Sequence, residues 1–245
     1  MATGVYKARD ISAPGIGMGG IVPALDYLTA SNRKSLGDEV ADFDSGLLNA
    51  EGRDVVVIGG GDTAMDCVRT AIRQKANSVT CLYRRDRANM PGSQREVANA
   101  EEEGVDFRWL SAPQAFLGDN HVRAVQAQKI HLGQPDATGR QVPQIIEDSS
   151  HEIPADLVIK ALGFDPEDIP TMFGAPELEV SKWGTIGVDW RTMMTNLPGV
   201  FAAGDIVRGA SLVVWGVRDG RDAAESIHSY IMAQSEAPRV AAGGA

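Results

Sequence analysis

The first regular pattern of apolar and polar positions begins at Asp54. Residues 55–58 (Val-Val-Val-Ile) form a bare apolar run, the mark of a parallel strand buried on both faces. A glycine-rich turn follows at 59–64 (Gly-Gly-Gly-Asp-Thr-Ala), and beyond it Met65, Val68 and Ile72 recur on one helical face. Residues 79–83 read as the next strand, 94–103 as a helix closed by Gly104 at its C-terminal cap, and 105–110 as a third strand. This βαβαβ order is the mononucleotide-binding half of a doubly wound α/β fold.

On either side the pattern is less regular. Residues 19–28 suggest a short helix with Ile21, Leu25 and Leu28 on one face, and the polar stretch 32–46 reads as a connector. Residues 121–132 and 141–146 look like antiparallel strands joined by the turn-rich link 133–139. The stretch 156–162 returns as an apolar strand ending at Gly163. A second turn-rich region spans 165–187, and the apolar segment 199–205 leads through a loop to a helix expected over about 211–233.

Composition narrows the function classes. The 245 residues carry a net charge of −10, which disfavours nucleic acid and acidic membrane surfaces as partners. No apolar run approaches the roughly 18–20 residues that span a bilayer, so a cytoplasmic location is the expectation. Two cysteines, Cys67 and Cys81, are too few for a disulfide framework and too far apart for a CxxC pair. The four histidines show no metal-ligand spacing, and the run Glu101, Glu102, Glu103 reads as a solvated helix face.

Candidate chemistry starts at the glycine turn. Gly59, Gly61 and Ala64 stand where a dinucleotide fingerprint must stand, directly after a buried strand and opening a helix. Gly59 permits the tight turn, Gly61 lets backbone N–H groups approach a pyrophosphate, and Ala64 allows close helix–strand packing. The bland alternative is a structural glycine turn. Gly15, Gly17 and Gly20 repeat the spacing but follow Ser12, Ala13 and Pro14 instead of an apolar strand, which marks them as a loop.

Arg84 and Arg85 lie near the end of the second strand, where NAD-binding folds place an acid on the ribose 2′-hydroxyl. Two guanidinium groups there suit a 2′-phosphate and so favour NADP(H), the alternative being a solvated surface pair. Arg87 and Arg95 are further candidates nearby. A third signal is Gly204-Asp205 after the short apolar run at Val200, Phe201, Ala202 and Ala203. Its place before a loop and a long helix suggests a carboxylate held at a ligand hydroxyl.

Together these motifs resemble the glutamate synthase small-subunit family of FAD- and NADPH-dependent proteins. The likeness rests on the stretch 55–66, on Tyr83-Arg84-Arg85-Asp86 with Asn89-Met90-Pro91-Gly92, and on 200–209, in order and with compatible spacing. It implies a Rossmann-like, doubly wound NADPH domain over 42–165, inserted in an incomplete FAD-binding domain. Residues 1–41 and 166–234 would supply the FAD-domain parts, and 235–245 a tail.

By the resemblance, Gly60, Gly61, Asp62 and Thr63 match the NADPH pyrophosphate loop, and Arg84 and Arg85 the 2′-phosphate site. Ala161, Leu162 and Gly163 match a crossover loop beside the nicotinamide half. Gly204 and Asp205, with the loop through Ser211 and Leu212, match a second FAD motif whose Asp holds the ribityl chain. The helix opening near Ser211 would aim its N-terminus at the flavin pyrimidine end.

Family members begin with a cysteine-rich iron–sulfur segment and a first glycine fingerprint for FAD. Neither occurs in these 245 residues, and Ala2-Thr3-Gly4 resembles the turn closing the first FAD half, so the chain is expected to start inside the FAD domain. The implied reaction is hydride transfer from NADPH to FAD, which needs orientation and electrostatics more than a side-chain acid or nucleophile. The implied partners are iron–sulfur clusters of the preceding region and a glutamate synthase large subunit that makes glutamate from 2-oxoglutarate and glutamine. Rival readings are a reductase serving a ferredoxin or a pyrimidine dehydrogenase, and a non-enzymatic NADPH-binding module.

Overall fold

The computed structural model describes residues 1–135 and 141–236. The expected tail beyond Glu236 and the later part of the 133–139 link, from residue 136 on, fall outside the described residues. The chain forms two compact units: an inner one, Asp10–Gly163, and an outer one made of Met1–Arg9 and Phe164–Ala245.

In chain order, β1 (Lys7–Ala8) belongs to the outer unit. The inner unit runs through β2 (Ile21–Pro23), α1 (Ala24–Ser35), α2 (Ala41–Asp44), β3 (Asp54–Ile58), α3 (Asp62–Arg73), β4 (Ser78–Leu82), α4 (Gln94–Glu102) and β5 (Asp106–Arg108). It continues with β6 (Ser111–Gly118), β7 (Val122–Pro135), β8 (Gln141–Ile145), β9 (His151–Pro154) and β10 (Leu157–Lys160). The outer unit resumes with β11 (Phe164–Asp165), α5 (Ile169–Met172), α6 (Asp205–Arg208) and α7 (Val213–Glu236).

The inner unit is built on a parallel sheet in the order β2-β10-β3-β4-β5. Helices α1, α3 and α4 contribute to the core on one face, with Val55, Val57, Val79, Cys81, Leu157 and Ile159. The opposite face carries Val56, Ile58, Leu82 and Val158. These pack with Phe116, Val122, Val125, Ala127 and Ile153 from an antiparallel group in which β7 pairs with both β6 and β9. This two-sided burial is why β3 is apolar at every position from Val55 to Ile58. The second face of the Rossmann-type sheet is therefore covered by strands, where the doubly wound pattern places helices.

Several boundaries differ from the sequence-based expectation. Ile21 does not share a helical face with Leu25, because Ile21, Val22 and Pro23 pair in parallel with β10 and the helix starts at Ala24. The parallel sheet thus reaches back before residue 42, and the inner unit begins at Asp10. Residues 32–46 are not simply a connector, since α1 continues to Ser35 and α2 follows. Strand β6 was not expected, and β7 runs on through Gly133 to Pro135. Gly104, with φ +97°, does close α4.

The acidic run is also more engaged than a solvated face. Glu103 accepts from Arg69 Nε at 3.0 Å and Arg73 Nη2 at 3.0 Å, tying α4 to α3, and Glu101 takes Arg87 Nη1 on both oxygens. The two guanidinium groups hold the Glu103 carboxyl below the usual range, the Arg69 hydrogen bond foremost.

In the outer unit, β1 pairs antiparallel with β11. A small core gathers Ile169, Leu178, Ile186, Ala202, Ile206 and Val207. Helix α7 buries Asp219 and Ala223 but leaves Val213, Val214, Val217, Ile227, Ile231 and Met232 exposed.

Candidate functional site

The inner unit gathers its candidate residues along one edge of the parallel sheet, where β3, β4 and β10 end. Strand β3 is followed in sequence by β4 and β5 to one side, whereas β10 lies on its other side. The reversal of order falls between β3 and β10, the position at which open α/β sheets bind ligands. Gly59 and Ala161 flank it. Ala161 N–H donates to Ile58 O at 2.9 Å, and Gly59 N–H to Leu82 O at 3.2 Å.

Each glycine of the turn has its own geometry. A Cβ on Gly59, whose φ is +150°, would lie 2.1 Å from Ala161 O. A Cβ on Gly60 would lie 2.4 Å from the Tyr83 ring, so that ring requires a glycine. A Cβ on Gly61 would meet nothing, and Gly61 is extended at φ −90° and ψ 178°. The turn is thus packed tightly from behind at Gly59 and Gly60 and open at Gly61.

Helix α3 starts immediately afterwards. Ala64 and Met65 N–H both turn back to Gly61 O, at 2.9 and 3.2 Å. Among the described residues none accepts from the N–H groups of Asp62 and Thr63, the groups a helix leaves free at its start. Ala64 is fully buried in the helix-side core, where a longer side chain would have no room. Asp62 is exposed and Thr63 half-buried, and the Asp62 carboxylate accepts from Ser93 N–H at 2.8 Å.

Beyond β4, the two arginines differ. Arg84 is exposed and forms no ion pair or side-chain hydrogen bond with the described residues. Arg85 is partly buried and reaches Gln141 O at 3.4 Å. Arg87 is committed to Glu101. After β10, Ala161 is buried, Leu162 packs partly on the strand-side core, and Gly163 adopts φ +86°.

The decoy glycines hold no such arrangement. Gly15 lies in a hydrogen-bonded turn against the backbone of Phe116, Gly20 leads into β2, and Gly17 faces open space away from any helix start. Both cysteines are buried in the inner core. Burial pushes the Cys81 thiol up to about 12 and Cys67 higher, Asp66 and Cys81 adding to the latter. Neither suits a thiolate redox role.

The outer unit holds Gly204, Asp205, Ser211 and Leu212. Gly204 has φ +77° and donates its N–H to Asp219 Oδ2 at 3.3 Å. Asp205 opens α6, and its carboxylate has no hydrogen-bond partner among the described residues. Ser211 and Leu212 are exposed and precede α7, which opens at Val213 and not at Ser211. Trp215 N–H returns to Leu212 O at 2.9 Å in that first turn.

Residues absent from the sequence reading organise this region. Arg208 grips Asp219 with a fork, Nε–Oδ2 2.6 Å and Nη2–Oδ1 2.7 Å, and its guanidinium lies 4.8 Å from the ring centres of Trp190 and Trp215. Asp219 is almost wholly buried, and the Arg208 hydrogen bonds hold its carboxyl well below the usual carboxylate range. In the inner unit the overlooked features are the Tyr83 ring behind Gly60 and the strap from Gly92 and Ser93. Only the Tyr83-to-Gly92 motif hinted at them.

The residues present fit their expected groups on two observations. The inner turn combines open space at Gly61 with helix N–H groups and an Arg84 guanidinium that have no partner among the described residues, as a dinucleotide phosphate requires. The outer unit offers an Asp205 carboxylate without a hydrogen-bond partner among the described residues, beside a Gly204 N–H held by Asp219.

Comparison with known proteins agrees with this architecture. The chain is 70% identical over 238 residues to a protein named glutamate synthase [NADPH] small chain from Azospirillum brasilense, covering 97% of this chain and 49% of that one. It is 68% identical over 231 residues to a putative glutamate synthase [NADPH] small chain from Cereibacter sphaeroides, covering 94% and 55%. The chain therefore spans about half the length of these curated relatives. Among solved structures, FprA from Mycobacterium tuberculosis in complex with NADPH matches in fold with TM-score 0.73 at 17% identity, over 96% of this chain and 64% of that one. Lactococcus lactis thioredoxin reductase matches with TM-score 0.67 at 24% identity, over 95% and 65%. The family model described as pyridine nucleotide-disulphide oxidoreductase matches residues 1–237, and the chain belongs to that family.

Proposed function

We propose that the chain is the NADPH-binding and flavin-contacting part of a glutamate synthase small-subunit type oxidoreductase, passing reducing equivalents from NADPH to FAD. The observation that carries this reading is the glycine turn at the sheet's reversal point, packed at Gly59 and Gly60, open at Gly61 and followed by an Arg84 guanidinium with no ion-pair partner among the described residues. The 70% identity to a glutamate synthase [NADPH] small chain supports the choice among family activities. The large subunit and iron–sulfur centres implied by the resemblance are the proposed onward partners, and the cytoplasm is the proposed location.

Each group acts by holding or orienting. Gly61 and the N–H groups of Asp62 and Thr63 receive the pyrophosphate at the positive end of α3. Arg84, with Arg85 behind it, takes the 2′-phosphate, where a fork of donors matches phosphate geometry. Ala161, Leu162 and Gly163 border the nicotinamide side of the turn. In the outer unit Asp205 accepts from ribityl hydroxyls, while the start of α7 after Ser211 and Leu212 favours negative charge on the flavin ring. When bound, the nicotinamide and flavin supply the hydride chemistry themselves.

The test is spectroscopic. The chain, supplied with the part of the Azospirillum brasilense relative that it does not cover, should yield a yellow protein whose flavin bleaches on anaerobic addition of NADPH. A complex that binds flavin but is not bleached by NADPH would defeat the reading.

A further inference from the structure

The segment 86–93, which links β4 to α4, doubles back onto the glycine turn. Its first part is braced by Asp86, whose Oδ1 accepts from Asn89 N–H at 2.9 Å and Nδ2 at 2.8 Å, and by Tyr83 Oη donating to Asn89 O at 3.1 Å. Met90 is buried in the helix-side core. The far end closes on the fingerprint itself: Gly92 N–H donates to Gly60 O at 2.9 Å, and Ser93 N–H to Asp62 Oδ1 at 2.8 Å. Packing there is close, since a Cβ on Gly92 would lie 3.1 Å from Gly60 O. At the near end, Ser111 N–H donates to Tyr83 O and Leu110 N–H to Arg85 O, both at 3.0 Å, which fixes the backbone on either side of Arg84.

A carboxylate on the first residue of α3 stands where an anionic ligand is expected, and like charges repel. Its engagement with Ser93 gives it a different task. We propose that Asp62 is a positioning residue: through Ser93 and the 86–93 segment it couples the glycine turn to Arg84, and so sets the preference for NADPH over NADH. This rests on the dinucleotide reading of the turn. The coupling needs the hydrogen-bond acceptor on residue 62 and not its charge, because an amide oxygen can also accept from Ser93.

Nucleotide titrations of the 245-residue chain test it. Asp62→Ala should raise the NADPH Kd about tenfold and the NADH Kd much less, the scale of one lost hydrogen bond to a charged group, lowering the NADH/NADPH ratio at least threefold. Asp62→Asn should keep the wild-type ratio, and Gly92→Ala should lower it by crowding Gly60 O. Asp62→Ala with an unchanged ratio, or an equal loss of both nucleotides, would overturn the coupling. Arg84→Ala and Gly61→Ala are the controls. If neither weakens NADPH binding, the dinucleotide reading fails and the inference falls with it, whereas sensitive controls beside an unaffected Asp62→Ala sink the inference alone.

Discussion

Gly59 approaches Ala161 so closely that a Cβ on the glycine would lie 2.1 Å from the Ala161 carbonyl oxygen. The contact joins the ends of β3 and β10 on either side of the reversal in strand order, so the turn has no slack behind it. Three glycine variants separate its demands. Gly59→Ala, at φ +150°, combines backbone strain with a clash and should destabilise the inner unit by about 3 kcal/mol. Gly61→Ala should leave thermal stability close to wild type and weaken NADPH at least about tenfold, because its Cβ meets no protein atom but fills the space a pyrophosphate approaches. Gly17→Ala should change neither quantity. Thermal melts with nucleotide titrations check all three, and an NADPH loss at Gly17 equal to that at Gly61 would misplace the site.

The Arg208–Asp219 fork predicts a stability effect with a defined pH dependence. The Asp219 carboxyl is held below its unfolded value, so its contribution is fully present above the ordinary carboxylate range and is lost as pH falls through that range toward the folded value. Asp219→Asn should cost the outer unit about 3 kcal/mol at pH 7, the scale for breaking a buried pair, and should flatten the loss of stability toward acid. Denaturant melts at pH 7 and at a pH below the ordinary carboxylate range, followed by tryptophan fluorescence because Trp190 and Trp215 flank the guanidinium, read both effects. Equal losses at both pH values would remove the ion pair from the account.

Thiol chemistry gives a third prediction. With Cys67 and Cys81 buried and their thiols pushed up by burial, the native chain should show no fast-reacting thiol at pH 8. Both should react once denaturant is added. Rapid labelling of the folded protein would mean that one cysteine is accessible as a thiolate.

Flavin retention is a fourth. Gly204 and Asp205, the residues proposed to contact FAD, lie in the outer unit, while the glycine turn that opens a helix after a buried strand belongs to the inner one. The 245-residue polypeptide purified alone should therefore bind NADPH, retain little FAD and oxidise NADPH negligibly. Tight stoichiometric flavin on this polypeptide would contradict the assignment of Asp205 to a two-piece site.

The sequence was readable where local periodicity and burial agree. β3, α3, β4 and α4 were found because Val55 to Ile58 is buried on both faces and Ala64, Met65, Cys67, Val68 and Ala71 form one inward stripe. β2 was missed because three residues beside a helix give no period of two, and their pairing with β10 is a contact across more than a hundred residues. β6 was missed because its alternation is broken between Pro113 and Ala115 by an irregularity in register. The fork at Asp219 joins two helices, so nothing at Asp219 in the linear pattern marks it as buried. Asp62 was legible as part of the turn, but its link to Ser93 depends on how the 86–93 segment folds back.

The central claim is that Gly59 to Ala64 and Arg84 form an NADPH site, and cofactor selectivity tests it most directly. Titrating NADPH and NADH into the wild-type chain and into Arg84→Ala/Arg85→Ala should show NADPH bound at least about tenfold more tightly by the former, with most of that preference lost in the latter, on the order of 1.5–3 kcal/mol for charge-assisted hydrogen bonds. Equal affinities for the two nucleotides in the wild-type chain would contradict the account.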